Sequence, residues 1–309
     1  MTGDVRRVLS ERRVPPWVVR ASARELGRFT FKPGLAWETQ RRRLDRFASA
    51  SPVPRGTRIV QTEINGVRSE VVTAPKVRGP RTVIHFHGGG YCVGSPRLAR
   101  TWAAHLSAQA DCQVILPDYR LAPENPYPAA LNDAEAVIKA VLGQVGPGSI
   151  VLSGDSAGGG LALASILAAR DAGRECPAGC LLLSPWLDLS DDRRGSAQLI
   201  RRDIMLNPGW LQACATAYAE PAEWTDPLVS PLLAAHKGLP PLLIQVGSDD
   251  LLAPDAQRLA ASASAAEVDV TYTIWPRLWH DFALEPGLLS AADNALSQAV
   301  SFVASVTEP

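Results

Sequence analysis

Residues 149–167 read SIVLSGDSAGGGLALASIL. Ile150 to Leu152 form a short β-branched and aliphatic run, the mark of a buried strand. From Ala157 onward the composition turns to alanine and leucine, which favour a helix. Between the two lies Gly154-Asp155-Ser156-Ala157-Gly158, a G-x-S-x-G pattern. A serine at such a strand-to-helix turn sits on strained backbone and exposes its hydroxyl at the strand's end. Gly154 and Gly158 are needed because a Cβ at either position would meet the neighbouring strand or helix. A tight turn without chemistry would satisfy the same five residues, so the serine needs partners elsewhere in the chain.

Flanking this stretch, strands and helices alternate. Strands are expected at Thr82–His87, Cys112–Pro117, Ile150–Ser153, Gly179–Leu183, Leu242–Val246 and Val270–Ile274. Most are continuous apolar runs, as strands covered on both faces require. Helices are expected between them at Leu98–Ala110, Ala129–Leu142, Ala157–Asp171, Pro254–Ala265 and Leu288–Val306. Upstream, TRIVQTEI and VRSEVVTA flank Asn65-Gly66, the strongest short hairpin signal because both turn residues tolerate positive φ. The pattern predicts an α/β fold with a central, mostly parallel sheet flanked by helices and an antiparallel hairpin at one edge.

Two intervals fall outside this rhythm. Residues 1–50 alternate apolar patches with arginine-rich segments, broken at Pro15-Pro16 and Pro33-Gly34. Residues 185–225 contain no strand pattern but hold Trp186, Met205, Trp210, Tyr218 and Trp224. An insertion of that length between sheet strands is usually functional. We therefore divide the chain into an N-terminal helical cap segment at 1–50, a core at 51–184, a cap insertion at 185–225 and a second core segment at 226–309.

Composition excludes several functions. The 309 residues suit one large domain, and 46% are apolar. Lys plus Arg and Asp plus Glu number 31 each, so no net field draws the chain to nucleic acid or an anionic membrane. The clusters Arg41-Arg42-Arg43, Arg193-Arg194 and Arg201-Arg202 read as solvated faces. Five scattered cysteines lack zinc-site spacing and fit reduced thiols in the cytoplasm. No stretch has the apolar length of a membrane span, and the N-terminus has no signal-peptide core. No metal and no cofactor are expected.

Chemistry at Ser156 needs a base and an acid. Of the five histidines, His85 lies in a strand, His105 in a helix and His236 in a polar loop. His280, in TIWPRLWHDF, follows the last strand on a loop at the sheet edge that carries Ser156. After PLLIQV comes Gly247-Ser248-Asp249-Asp250, two adjacent carboxylates of which one can reach His280. Asp255 opens the following helix and suits its N-terminal dipole. Attack on a carbonyl also needs donors for the developing charge. VIHFHGGGYCVGS supplies a loop, His87-Gly88-Gly89-Gly90-Tyr91, whose backbone can pass close to a substrate, and the N–H of Ala157 is a further donor.

These motifs together, HFHGGGYCVGS, DYRLAPENPYPAAL, SGDSAGGGLALA, GSDDLLAPD and WPRLWHDF, resemble the bacterial hormone-sensitive-lipase-like esterases, the H-G-G-G and G-D-S-A-G group of α/β-hydrolases. The resemblance runs from about residue 80 to the C-terminus. It implies an α/β-hydrolase fold with a helical cap, in the chain order serine, acid, histidine. It assigns the nucleophile to Ser156, the base to His280 and the acid to Asp250, with Asp249 as the alternative. Oxyanion donors become Gly89, Gly90 and Ala157. Gly88 shapes the turn, His87 braces the loop, and Asp118, Arg120 and Glu124 buttress it. The chain departs from the family pattern at Pro254, where an acidic residue is common.

The activity so implied is cofactor-independent hydrolysis of short- to medium-chain neutral carboxylic esters, with small lactones as the alternative substrate and amides less efficient. A binding module on the same fold normally lacks one of the three groups, all of which are available here. Tyr91, Trp210 and Met205 are the candidate substrate-pocket residues. A homodimer through an edge strand is implied by the resemblance alone.

Overall fold

The computed structural model describes residues 14–190 and 197–308. Residues 1–13 of the N-terminal segment and the Arg193-Arg194 cluster lie outside the described residues.

The hairpin forms as its Asn-Gly signal requires. Strand β1 (Arg58–Ile64) pairs antiparallel with β2 (Val67–Thr73), and Asn65 and Gly66 both take positive φ. The remaining strands are β3 (Thr82–Phe86), β4 (Gln113–Pro117), β5 (Ile150–Asp155), β6 (Gly179–Leu183), β7 (Leu242–Gly247) and β8 (Val270–Trp275). The sheet order is β1-β2-β4-β3-β5-β6-β7-β8, and every pair from β4 to β8 is parallel. Strand β5 runs two residues beyond the expected Ser153, because Gly154 and Asp155 keep pairing with Leu182 and Leu183 of β6.

Both faces of the parallel strands are apolar and covered. Ile84, Leu152, Leu182 and Ile244 join one core with α4 (Ala129–Val145), α5 (Ala157–Asp171) and α8 (Ala253–Ala265). Their neighbours Val83, Val151, Leu181 and Leu243 join a second core with α3 (Arg100–Ala110) and α9 (Ser290–Val306). This alternation is the period of two of a strand, read twice. The expected helix from Leu98 begins instead as a 3-10 turn, Pro96–Ala99, and becomes α-helical at Arg100.

Helices α1 (Pro16–Thr30) and α2 (Trp37–Ala50) pack with the segment carrying α6 (Ala197–Arg202) and α7 (Pro208–Tyr218). The side-chain amide of Asn207 donates to the carbonyl of Phe31 at 2.9 Å, and the indole N–H of Trp210 donates to Gln40 Oε1 at 2.8 Å. Gly27 of α1 lies so close to the backbone of Ile204 and Met205 that a Cβ would not fit.

The topology places the loops that follow. Chain order moves from β3 to β4 on one side and then returns to β5 on the other. Loops leaving the C-terminal ends of β3 and β5 therefore diverge, opening a crevice at the reversal point, where α/β sheets bind ligands. Loops after β7 and β8 reach the same edge.

Candidate active site

Ser156 occupies the turn between β5 and α5 with φ 52° and ψ −121°, a conformation rarely taken by a residue with a side chain. Its N–H donates to Leu183 O at 2.9 Å, and its carbonyl accepts from Gly159, Gly160 and Trp186. The turn is thus held by β6 and by the first turn of α5. A Cβ on Gly154 would collide with the backbone of Gly158, and one on Gly158 with the carbonyl of Phe86. Gly158→Ala is accordingly expected to destabilise the fold by about 3 kcal/mol or more, since rigid backbone must give way. A denaturant titration of the variant measures this.

The loop after β3 passes over that turn. Gly89 and Gly90 have φ of 118° and 59°. Gly88 is fixed, its N–H donating to Asp155 Oδ2 at 2.9 Å. By contrast, the N–H groups of Gly89, Gly90 and Ala157 have no backbone acceptor among the described residues, whereas that of Gly88 is taken by Asp155. The His87 ring donates from Nδ1 to Gly88 O at 2.7 Å and stacks on Tyr119 at 4.3 Å, and the Tyr119 hydroxyl donates to His87 O at 2.6 Å.

His280 meets Asp250 squarely: Nδ1 lies 3.1 Å from both carboxylate oxygens. Asp250 is fully buried, and its Oδ1 also accepts the N–H of Leu252 at 2.8 Å. Asp249 points away from the ring to Arg20 of α1, 3.6 Å off. Asp255 accepts the N–H groups of Leu187 and Asp188. The other nitrogen of His280, Nε2, lies 3.1 Å from Asp281 Oδ2, and neither ring nitrogen is hydrogen-bonded to Ser156. Burial opposes charge on the ring, yet Asp281 and Asp250 at its two nitrogens outweigh it and hold His280 well above the ordinary imidazole value.

A cavity of about 80 Å³ lies beside these parts, lined by some of them but not by Ser156, Gly90, Ala157 or Asp250. Gly88, Gly89, Asp155, His280 and Asp281 are part of its polar wall, and Leu26, Phe31, Leu44, Phe47, Met205 and Trp279 are among its apolar lining. Of the three candidate pocket residues, Met205 lines the cavity. Tyr91 and Trp210 do not line the cavity. Tyr91 stacks on Tyr218 with centroids 3.8 Å apart, and Trp210 packs on Phe31 and against Gly90. Their apolar rings are used to seat the α7 segment on the glycine loop.

Residues 83–284 match the model of a family described as having the α/β hydrolase fold. This chain belongs to that family. The hydrolase is 38% identical over 234 residues to an acetyl-hydrolase of Streptomyces hygroscopicus, covering 75% of this chain and 78% of that one. It is 34% identical over 265 residues to an esterase of Acinetobacter venetianus, covering 85% and 87%. Among solved structures it is similar to an esterase from the bacterial hormone-sensitive lipase family, with a TM-score of 0.88, 32% identity and coverage of 94% and 97%. The hydrolase is a carboxylic ester hydrolase of the hormone-sensitive-lipase-like group. No helix among its described residues is long and apolar enough to cross a membrane.

Several supporting residues of the hydrolase escaped the sequence reading. Asp155 binds Gly88 with one oxygen and His85 Nε2 with the other, at 3.0 Å, and Ser153 holds His85 Nδ1. Of the three residues expected to buttress the loop, only Glu124 acts there, by holding Arg41, which donates to Cys92 O and Ala122 O. Asp118 pairs instead with Arg68, and Arg120 with Asp133. Asp203, after α6, accepts N–H groups from Met205, Leu206 and Leu251 and so ties the insertion to the Asp250 loop. Burial and the nearby charge of Asp250 push its carboxyl up to about 6.

Proposed function

We propose that this esterase hydrolyses short- to medium-chain neutral carboxylic esters through an acyl-enzyme on Ser156, with segments 1–50 and 185–225 as its cap. One observation carries the reading. A strained serine, three amides without a backbone acceptor and a histidine oriented by a buried carboxylate gather at one edge of the sheet, beside a largely apolar cavity.

In the first half-reaction, Ser156 Oγ bonds to the ester carbonyl carbon while its proton passes to His280 Nε2. The N–H groups of Gly89, Gly90 and Ala157 receive the negative oxygen. The tetrahedral species then collapses as the bond to the alcohol oxygen breaks, and His280 returns the proton to that oxygen. In the second half-reaction, water gives a proton to His280 and its oxygen bonds to the acyl carbon. Ser156 Oγ leaves with the proton, and the acid is released. Asp250 keeps the Nδ1–H tautomer and offsets the charge of the imidazolium throughout.

The cavity supports small acyl groups. At roughly 10–15 Å³ for each water-sized group, a volume of this size has room for a handful of heavy atoms. Its wall carries carboxyl groups but no Lys or Arg, which disfavours acidic substrates. Relatives named as acetyl-hydrolase and esterase point the same way. On a p-nitrophenyl ester series, kcat/KM is expected to peak between acetyl and hexanoyl and to fall steeply at dodecanoyl. A maximum at dodecanoyl would contradict the reading.

A further inference from the structure

The Asp281 carboxylate sits on the nitrogen of His280 that must accept a proton from Ser156. Nδ1 is committed to Asp250 as a donor. A neutral ring then presents only a lone pair at Nε2, and a carboxylate presents only lone pairs. Two acceptors do not approach to 3.1 Å without a proton between them, so the contact itself requires one more proton than the neutral Nδ1–H ring carries. With that proton in place, Nε2 cannot act as a base.

We propose that Asp281 is a positioning residue that stores this proton with His280 in the resting site and releases Nε2 when the proton is lost. The proton goes to solvent; no other bond forms or breaks. The carboxylate then has no reason to remain on Nε2 and swings off, and the ring turns its lone pair to Ser156. This inference rests on the roles of Ser156 and His280 proposed above.

Two further observations agree with a carboxylate built for this task. Asp281 stands in the left-handed region at φ 57°, with its N–H donating to Ser184 Oγ, so its backbone is locked while its side chain is not. Its Oδ1 is buried without a partner, so among the described residues the Oδ2 contact with His280 is the only hold on the carboxylate. Burial pushes Asp281 up to about 7, against the pull of His280. Other charged groups face the pair from several elements. Asp203 comes from the loop after α6, Asp250 from the loop after β7, and Asp155 from β5, where it is already bound to His85. Arg20 of α1 lies over Trp279 and is paired with Asp249, and Glu285 lines the same cavity.

The sign follows directly. A ring whose pKa is raised by Asp281 stays protonated, and inactive, to higher pH than it would without that charge. Asp281→Asn and Asp281→Gly both tolerate left-handed backbone, whereas alanine would add strain. In each variant the acid limb of kcat/KM, read against that variant's own alkaline plateau, is expected to move down by about one pH unit or more. At a pH one unit below the wild-type limb this is roughly a fivefold or greater relative gain. Imidazole NMR titration of the full chain follows His280 without turnover and should show the same downward shift. Limbs and titrations that stay in place in both variants, or move upward, would overturn the proposal. If Ser156→Ala retains activity, the nucleophile assignment fails instead, so the two failures are distinguishable.

Discussion

Ser156→Ala and His280→Ala are each expected to lower kcat by on the order of 10⁵–10⁶-fold while the protein stays folded. The hydroxyl of Ser156 makes no hydrogen bond to another described residue, so removing it leaves no orphaned partner. Backbone strain at position 156 is unchanged, because alanine inherits the same φ and ψ. His280→Ala does leave Asp250 unpaired and costs more stability, yet Asp250 keeps the N–H of Leu252. The double variant should be no slower than either single one, since a serine without its base and a base without its serine are equally idle. Steady-state kinetics with circular dichroism reads both effects. A fluorophosphonate should label Ser156 in the wild type and leave the alanine variant unlabelled; labelling elsewhere would displace Ser156 from its role.

Asp250→Asn should cost about 10³–10⁴-fold in kcat, whereas Asp249→Asn should stay within about tenfold of wild type. The difference comes from what each carboxylate holds. Asp250 accepts the Nδ1–H of His280 with both oxygens. An asparagine there presents an N–H to Nδ1 and drives the ring proton to Nε2, the atom that has to be vacant. Asp249 is paired instead with Arg20, 3.6 Å away, whose side chain is a third exposed, and it makes no hydrogen bond to the ring of His280. If Asp249→Asn proved the more damaging, the acid would have to be reassigned.

Much of this site could be read before the fold was known. Continuous apolar runs marked strands covered on both faces, and the glycines at 154 and 158 are both positions where neighbouring backbone leaves no space for a Cβ. Ser156, His280 and the Asp249-Asp250 pair each stood just beyond a strand, and parallel strands bring such ends together whatever the loop sequences are. Asp250 was separated from Asp249 by resemblance; in the structure it is the rotation of one residue along the turn that aims it at the ring. Tyr91 and Trp210 were misread for a physical reason. An aromatic residue near a catalytic loop suits a pocket or a packing seam equally well, and only the docking of α7 on Gly90 decides it. Asp281 and Asp155 were passed over because a carboxylate beside a catalytic residue in sequence normally points the other way. In Asp281 the left-handed backbone reverses that expectation. A polar histidine inside the strand TVIHF was the one available hint of the Asp155 bridge, since a buried ring needs a partner on an adjacent strand.

The wall of the cavity has a divided origin. Ala23, Leu26, Phe31, Leu44, Phe47, Ala48 and Pro52 all precede the sheet, while the groups assigned to bond-making all follow residue 86. Mutation in the opening segment can therefore redraw which molecules are admitted without disturbing the reacting atoms. Much of the diversification of this enzyme's tastes could be written in its opening segment, ahead of a reaction centre that has no need to change.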